Sequence, residues 1–245
     1  MNLLLLAAGK STRIYKKIKK NKCLIKINKN LLIKHIINKS KKSLIKNTFI
    51  ITGFKPNNIK KELKEIKHLK FIRNSKYNST DMVYSSILGL KKIKSDTIIS
   101  YTDIFYSKKI FDIFSKSNNN FITIPYIKNW KKIWKLRNKN IFEDAETFKM
   151  DKNLYLKEIG KKINQKNLKY INGQFLGVIF IPKKYIKIVI DKYKILNNKN
   201  LQFTQFINNL IKFKIKIKCV EYKDFWYEFD DYEDLKNFKE FKKID

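Results

Sequence analysis

The stretch Leu3-Leu4-Leu5-Leu6-Ala7-Ala8-Gly9-Lys10-Ser11-Thr12-Arg13, with Lys22 not far behind it, decides the fold. Its apolar half reads as a buried strand. That strand runs straight into a turn of small and hydroxylated residues, where no bulky side chain keeps another molecule from the backbone. A phosphate chain fits such a turn, because its exposed N–H groups are donors and Arg13 and Lys22 bring the charge that a triphosphate needs neutralised. Two other readings fail. Gly9-Lys10-Ser11-Thr12 has the ending of a P-loop, but that motif needs an earlier glycine where Leu4 stands. A secretory signal needs a basic start and a longer apolar run than Leu3 to Ala8, and here the basic residues come afterwards. Taken alone, the stretch is equally a core strand followed by an ordinary turn.

The chain has 245 residues, 43% of them hydrophobic, enough for a substantial core, and nothing in it reads as a linker. One domain is the default. Fifty-six basic and twenty-one acidic residues leave a net charge of +35, which raises the question of nucleic-acid binding. The lysines are spread through nearly every segment rather than massed on one helix or tail, so no specific nucleic-acid partner is expected. A small polyanionic substrate suits the same field. Cys23 and Cys219 have no metal-ligand spacing and read as reduced cytosolic thiols. His35 and His68 read as structural or exposed. No segment has the roughly 18 apolar residues of a membrane span, and a cytoplasmic location is expected.

Along the first half, β-like and helical runs alternate, which predicts a largely parallel sheet covered by helices. After the first strand come a helix over 31–41, a strand over 48–52 ending at Gly53, a helix from Pro56 to about Lys67 and a strand over 69–73. Ser79 or Thr80 is placed to cap a helix on which Met82, Val83, Ser86, Ile87 and Leu90 share a face. Thr97-Ile98-Ile99-Ser100-Tyr101 is a buried strand that delivers Asp103 past its carboxyl end, the edge at which open α/β sheets bind ligands. Further on, 121–126 and 174–181 read as strands, 183–196 and the stripe Phe203, Phe206, Ile207, Leu210 and Ile211 as helices. The segments 215–221 and 225–229 are expected to close the sheet before a last helix near Asp231. In Trp226-Tyr227-Glu228-Phe229-Asp230-Asp231, strand alternation puts Glu228 and Asp230 on one face, where both carboxylates can reach one ion. The competing reading pairs Asp230 with Glu233 as a helix cap.

The first stretch resembles the nucleotidyltransferase signature Leu-x-Ala-Ala-Gly-x-Gly-x-Arg with its later Pro-Lys-x-Leu. Leu5, Ala7, Ala8, Gly9 and Arg13 match, as do Lys22 and Leu24; Ser11 replaces the second glycine and Asn21 the proline. Thr80 to Ser85, Ile99 to Ile104, Trp130 to Arg137, Glu143 to Phe148, Ile159 to Lys162, Gly173 to Gly177 and Trp226 to Leu235 resemble segments of bacterial cytidylyltransferases acting on phosphocholine, 2-aminoethylphosphonate or phosphoglutamine. Asp81 departs from the family's usual Asn, and a carboxylate cannot donate to a pyrimidine carbonyl as an amide can.

The resemblance implies a single α/β nucleotidyltransferase domain of Rossmann-like build over 1–245, with a mixed, mostly parallel central sheet and helices on both faces. It implies a nucleotide-binding part over about 1–105 and an acceptor-binding part over about 106–245. The reaction implied is transfer of CMP from CTP to a small phosphorylated acceptor, with Mg²⁺ as cofactor and pyrophosphate released. Leu6, Ala7, Ala8, Gly9, Lys10, Ser11, Thr12, Arg13 and Lys22 would bind the triphosphate, Arg13 and Lys22 catalytically, and Gly53, Thr80, Met82 and Ser85 the base. Asp103, Glu228 and Asp230 would hold the metal. Trp130, Trp134, Arg137, Asp144, Glu146, Lys161, Trp226 and Tyr227 would surround the acceptor, where aromatic faces and carboxylates suit an ammonium group. A sugar-1-phosphate nucleotidyltransferase shares the fold and first loop, and a basic nucleic-acid-binding protein without catalysis is the rival of another class. A homo-oligomer is compatible with the sequence.

Overall fold

The strand β1 (Asn2–Ala7) is buried along its whole length because the sheet it centres is covered on both faces. Leu3, Leu5 and Ala7 enter one core, and Leu4, Leu6 and the following Ala8 enter the other. A continuous apolar run, without polar alternation, is what such a position demands. The computed structural model describes residues 1–27, 29–116, 120–137 and 139–244.

Strands and helices alternate through the first half. After β1 come α1 (Thr12–Ile18), a small antiparallel pair β2 (Lys26–Ile27) and β3 (Asn30–Leu31), and α2 (Leu32–Ser40). Next are β4 (Asn47–Thr52), α3 (Pro56–Leu63), β5 (Leu69–Arg73), α4 (Met82–Ile93) and β6 (Thr97–Tyr101). The strands β5, β4, β1 and β6 lie side by side and parallel. Ala7 pairs with Thr52 and Leu6 with Tyr101, so the carboxyl ends finish level and their loops share one edge.

The second half begins with β7 (Ile104–Tyr106), α5 (Lys109–Lys116), β8 (Ile122–Ile127), α6 (Trp130–Leu136) and α7 (Ile141–Asp144). An irregular antiparallel hairpin, β9 (Glu146–Met150) with β10 (Leu156–Lys162), precedes β11 (Gln174–Phe175) and β12 (Val178–Ile181). The chain ends with α8 (Lys183–Leu196), α9 (Phe203–Lys212), β13 (Ile217–Glu221), β14 (Trp226–Glu228) and α10 (Tyr232–Ile244). β12 enters the main sheet antiparallel between β6 and β8, and β11 and β13 also pair with β8. The fold is a single α/β domain with a mixed, mostly parallel sheet. Residues of α1, α2, α3, α5, α6 and α10 pack on one face, and those of α4, α8 and α9 on the other.

Four expectations need correction. Helix α3 ends at Leu63 rather than near Lys67, because the chain tightens there into a turn, with Ile66 N–H donating to Leu63 C=O. Neither Ser79 nor Thr80 caps α4: their hydroxyls donate to Lys76 C=O, and the Asp81 carboxylate accepts Met82 N–H at 2.6 Å. Residues 174–181 form two strands, broken at Gly177, whose φ of +74° sets it against the Tyr101 ring; a Cβ there would lie 2.7 Å from Cδ2. Residues 225–229 do not close the main sheet, since β14 pairs antiparallel with β7 in a ribbon of its own. His35 is half-buried, stacked on Phe105 with Nε2 against Tyr106 C=O at 3.0 Å, in agreement with a structural role.

Both cysteines are buried. Burial, with a smaller push from the Asp103 charge, lifts the Cys23 thiol to about 12, and burial also raises Cys219. Since the thiolate is the reactive form, neither should react with a disulfide reagent in the native protein at mildly alkaline pH. Both should titrate once denaturant is added; rapid native labelling would contradict this packing.

Candidate active site

The turn after β1 gives the site its floor. Ser11, which stands where the signature has glycine, adopts φ 52°, a left-handed conformation that glycine occupies at less cost. At Gly9 an added Cβ would meet nothing within 4 Å, so space lies open above the backbone here. Asn21, in the proline's place, has φ −56°, a value a proline ring would also impose. Its side chain donates to Phe54 C=O at 2.8 Å, which fastens the segment leading into Lys22 without a ring.

Lys22 reaches the carboxylates. Its Nζ lies 2.8 Å from Asp103 Oδ2 and 3.1 Å from Asp230 Oδ1. Burial works against its charge, but Asp103 and Asp230 outweigh burial and hold the ammonium firmly protonated. Arg13, on α1, is largely exposed and approaches Asp230 Oδ1 at 3.4 Å.

Three chain segments bring the acidic groups together. Asp103 follows β6, and Thr102 pins that strand end by donating to Leu6 C=O at 2.8 Å. The strand β7 starts immediately afterwards and pairs with β14, placing Glu228 opposite Ile104, while Phe229 N–H donates to Asp103 C=O at 2.9 Å. Carboxylate oxygens of Asp103, Glu228 and Asp230 consequently lie within 4.8 Å of one another. The helix-cap alternative for Asp230 falls away. Asp231 accepts Asp234 N–H at 3.0 Å, and Asp234 Oδ2 accepts the N–H groups of Asp230 and Asp231 in return. Burial, reinforced by Asp230, raises Glu228 well above the ordinary carboxyl range despite Arg137 nearby. Asp230, also buried, is nonetheless held at about 2 by Lys22, Arg137 and Arg13.

This trio lies where two cavities meet. One, of about 130 Å³, is bordered by Leu6, Ala7, Ala8, Gly9, Ser11 and Lys22, and across from them by Thr80, Met82 and Ser85. Lys10, Thr12, Arg13 and Gly53 do not border it. Gly53 is needed instead for packing, since a Cβ would lie 2.6 Å from both Ala8 O and Tyr77 Cβ. Asn74, absent from the sequence-based set, is buried beside this cavity and donates to Thr80 Oγ1 at 3.1 Å and Ser85 Oγ at 3.0 Å. Its position just past the end of β5, on the loop-bearing edge, was the available signal.

The second cavity, of about 290 Å³, shares Asp81, Met82 and Tyr101 with the first. Trp134, Asp144, Glu146 and Trp226 border it together with Glu228 and Asp230. Phe175 and Phe203, stacked at 6.3 Å, complete an aromatic wall that the sequence-based set lacks. Four expected members lie elsewhere. Trp130 is core, edge-on to Trp134 at 5.6 Å, and Tyr227 is core with its hydroxyl donating to Asp234 C=O at 3.0 Å. Lys161 is exposed and paired with Glu158. The Arg137 side chain has no exposure and serves as a hub: it meets Asp234 at 3.0 Å, Asp230 at 2.8 Å, Asp144 at 3.4 Å and Glu228 at 3.5 Å.

A CTP:phosphoglutamine cytidylyltransferase of Campylobacter jejuni is 32% identical over an alignment of 251 positions, which takes in 96% of this chain and 98% of the relative. The chain belongs to the cytidylyltransferase family. No protein-family model matches this cytidylyltransferase. Its fold is shared with the CTP:phosphocholine cytidylyltransferase of Streptococcus pneumoniae, at TM-score 0.72 and 18% identity over 98% of each chain. It is shared too with the inositol-1-phosphate CTP transferase of T. maritima, at TM-score 0.79 and 18% identity over 99% of this chain and 95% of the other. Among the described residues of this cytidylyltransferase, no helix is long and apolar enough to cross a membrane.

Proposed function

We propose that this enzyme transfers CMP from CTP to a small phosphate or phosphonate acceptor of the phosphocholine, aminoethylphosphonate or phosphoglutamine kind, using Mg²⁺ and releasing pyrophosphate. The observation that carries this reading is the meeting of Lys22 with Asp103, Glu228 and Asp230 at the junction of two cavities. Hard oxygen donors suit Mg²⁺. Asp103 Oδ1 fits the requirement on its own account, being buried without a hydrogen-bond partner while Oδ2 is held by Lys22. Asp103, Asp230 and Glu228 would hold the ion, which when bound offsets charge on the phosphoryl oxygens.

The rest of the chemistry falls to the chain. The turn at Gly9 to Ser11 offers backbone donors to the triphosphate, and Lys22 and Arg13 neutralise it as the bond from the α-phosphorus to the bridging oxygen breaks. The acceptor oxygen forms the new P–O bond in line and needs no general base, since it is ionised at neutral pH; positioning and electrostatics carry the rate. For the base, Thr80 spends its hydroxyl hydrogen on Lys76 C=O, whereas Ser85 accepts from Asn74 and keeps its own hydrogen to donate. That restores a donor to a pyrimidine carbonyl where Asp81 has none to give. Ser85→Ala should raise the KM for CTP roughly tenfold, as expected for one neutral hydrogen bond, with kcat nearly unchanged.

The direct test is pyrophosphate release from each of the four NTPs with Mg²⁺ and a panel of small phosphorylated acceptors. CTP should be preferred. Lys22→Ala should lower kcat on the order of 10²–10³, as removal of other preorganised donors does. Turnover with hexose 1-phosphates in place of the panel would favour a sugar-1-phosphate enzyme instead.

A further inference from the structure

Two side chains of opposite hydrogen-bonding character stand one helical turn apart at the start of α4, and both border the first cavity. Ser85 Oγ accepts from Asn74 at 3.0 Å and has its own hydrogen left to donate. The Asp81 carboxylate can only accept. Its Oδ1 takes Met82 N–H at 2.6 Å, which caps the helix, and among the described residues nothing pairs with Oδ2. In a chain that carries +35, an acidic group with no lysine or arginine on it is unusual.

Both groups are held in place. Asp81 N–H donates to Lys199 C=O at 2.9 Å, and Asp81 C=O accepts Ser85 N–H at 3.4 Å, so the pair shares one side of the helix. Asn74, which fixes the Ser85 hydroxyl, is itself braced by Lys76 N–H on its Oδ1 at 2.9 Å. Burial raises the Tyr101 phenol well above its usual value, and the charges of Glu228, Asp103, Glu146 and Asp81 add to this. Tyr101 borders both cavities, so the Asp81 charge is felt inside the site.

Such a pair accepts one pyrimidine and rejects the other. Cytosine presents its O2 carbonyl as an acceptor and its exocyclic amine as a donor, on either side of N3, whereas uracil presents acceptors at both places. Side chains one turn apart are about 5–6 Å from each other at Cβ, a spacing for groups across a ring rather than for adjacent ones such as uracil O2 and N3–H. We propose that Asp81 accepts from the exocyclic amine of cytosine while Ser85 donates to O2, which makes Asp81 the residue that selects CTP over UTP. The inference rests on the CMP transfer proposed above and deepens it. An Asn here could turn either end of its amide to the base. The carboxylate cannot, and it meets uracil O4 as one acceptor against another, leaving both without a hydrogen bond.

Calorimetric titration with CTP and with UTP, each with Mg²⁺ and without acceptor, isolates recognition of the base. The native protein should bind CTP roughly 30-fold more tightly than UTP, as a charge-assisted hydrogen bond exchanged for a repulsion would give. Asp81→Asn is the informative substitution, because Asn caps a helix as well as Asp does and α4 is left intact. In that variant the ratio should fall to about fivefold or less, chiefly through tighter binding of UTP. Asp81→Ser, an equally good cap without a carboxylate, should lose CTP affinity on the order of tenfold and bind UTP no more weakly than the native protein does. A role confined to capping would shift CTP and UTP by the same factor in each variant, and that result overturns the inference. Pyrophosphate release with the acceptor panel is measured alongside. Release from CTP with a CTP-to-UTP ratio insensitive to both substitutions leaves CMP transfer standing without Asp81, whereas no release with any acceptor removes the transfer reading itself.

Discussion

Asp103→Ala should bring metal-dependent pyrophosphate release to background, a loss on the order of 10³ or more, while the far-ultraviolet circular dichroism stays that of the native protein. The expectation combines two observations. Asp103 Oδ2 is the nearer of the two carboxylate contacts of Lys22, and Oδ1 is buried with nothing to accept from. Truncation thus removes both an oxygen donor for a cation and the group that orients the lysine. Folding should survive, because Lys22 keeps Asp230 at 3.1 Å and no charge is left buried alone. Calorimetric titration with Mn²⁺ gives a readout independent of turnover, and binding in the variant should be weakened at least tenfold. Unchanged affinity and turnover would remove Asp103 from the centre of the site.

Arg137→Met should cost about 3–5 kcal/mol of stability, the usual result of deleting one partner from a buried ionic network. The guanidinium is fully enclosed, and Asp234, its bidentate partner, is as well. Methionine fills much of the volume, yet it leaves Asp234 dependent on the backbone N–H groups of Asp230 and Asp231 and on Lys139. Against a total of about 5–15 kcal/mol for a typical domain, that loss is a large share. Arg137→Lys should fall between, because one ammonium cannot reproduce the planar fork that meets several carboxylates at once. Urea denaturation at neutral pH measures the difference, and a loss under about 1 kcal/mol would show that the carboxylates find other partners.

The reading of the sequence reached furthest where function and burial leave a local signature. β1 announces itself because both of its faces are buried, and Asp103 because an apolar strand feeds it. Glu228 and Asp230 share a side through the two-residue period of a strand, which needs no knowledge of the fold. Arg137 had no such signature. Its partners come from α7, the end of β14 and the residues just beyond it, and the first turn of α10, and only tertiary structure collects them, so the family resemblance placed it among the residues around the acceptor. The hairpin of β9 and β10 escaped for a different reason: two register shifts break its alternation. Between β11 and β12, the positive φ of Gly177 interrupts what reads as one apolar run.

The ribbon of β7 and β14 carries a temporal consequence. Translation delivers the glycine turn, Lys22 and Asp103 well over a hundred residues before Glu228 and Asp230. The acidic trio therefore has no existence in a nascent polypeptide, and prematurely terminated products lacking the region from Trp226 onward carry the nucleotide turn without the carboxylates that face it.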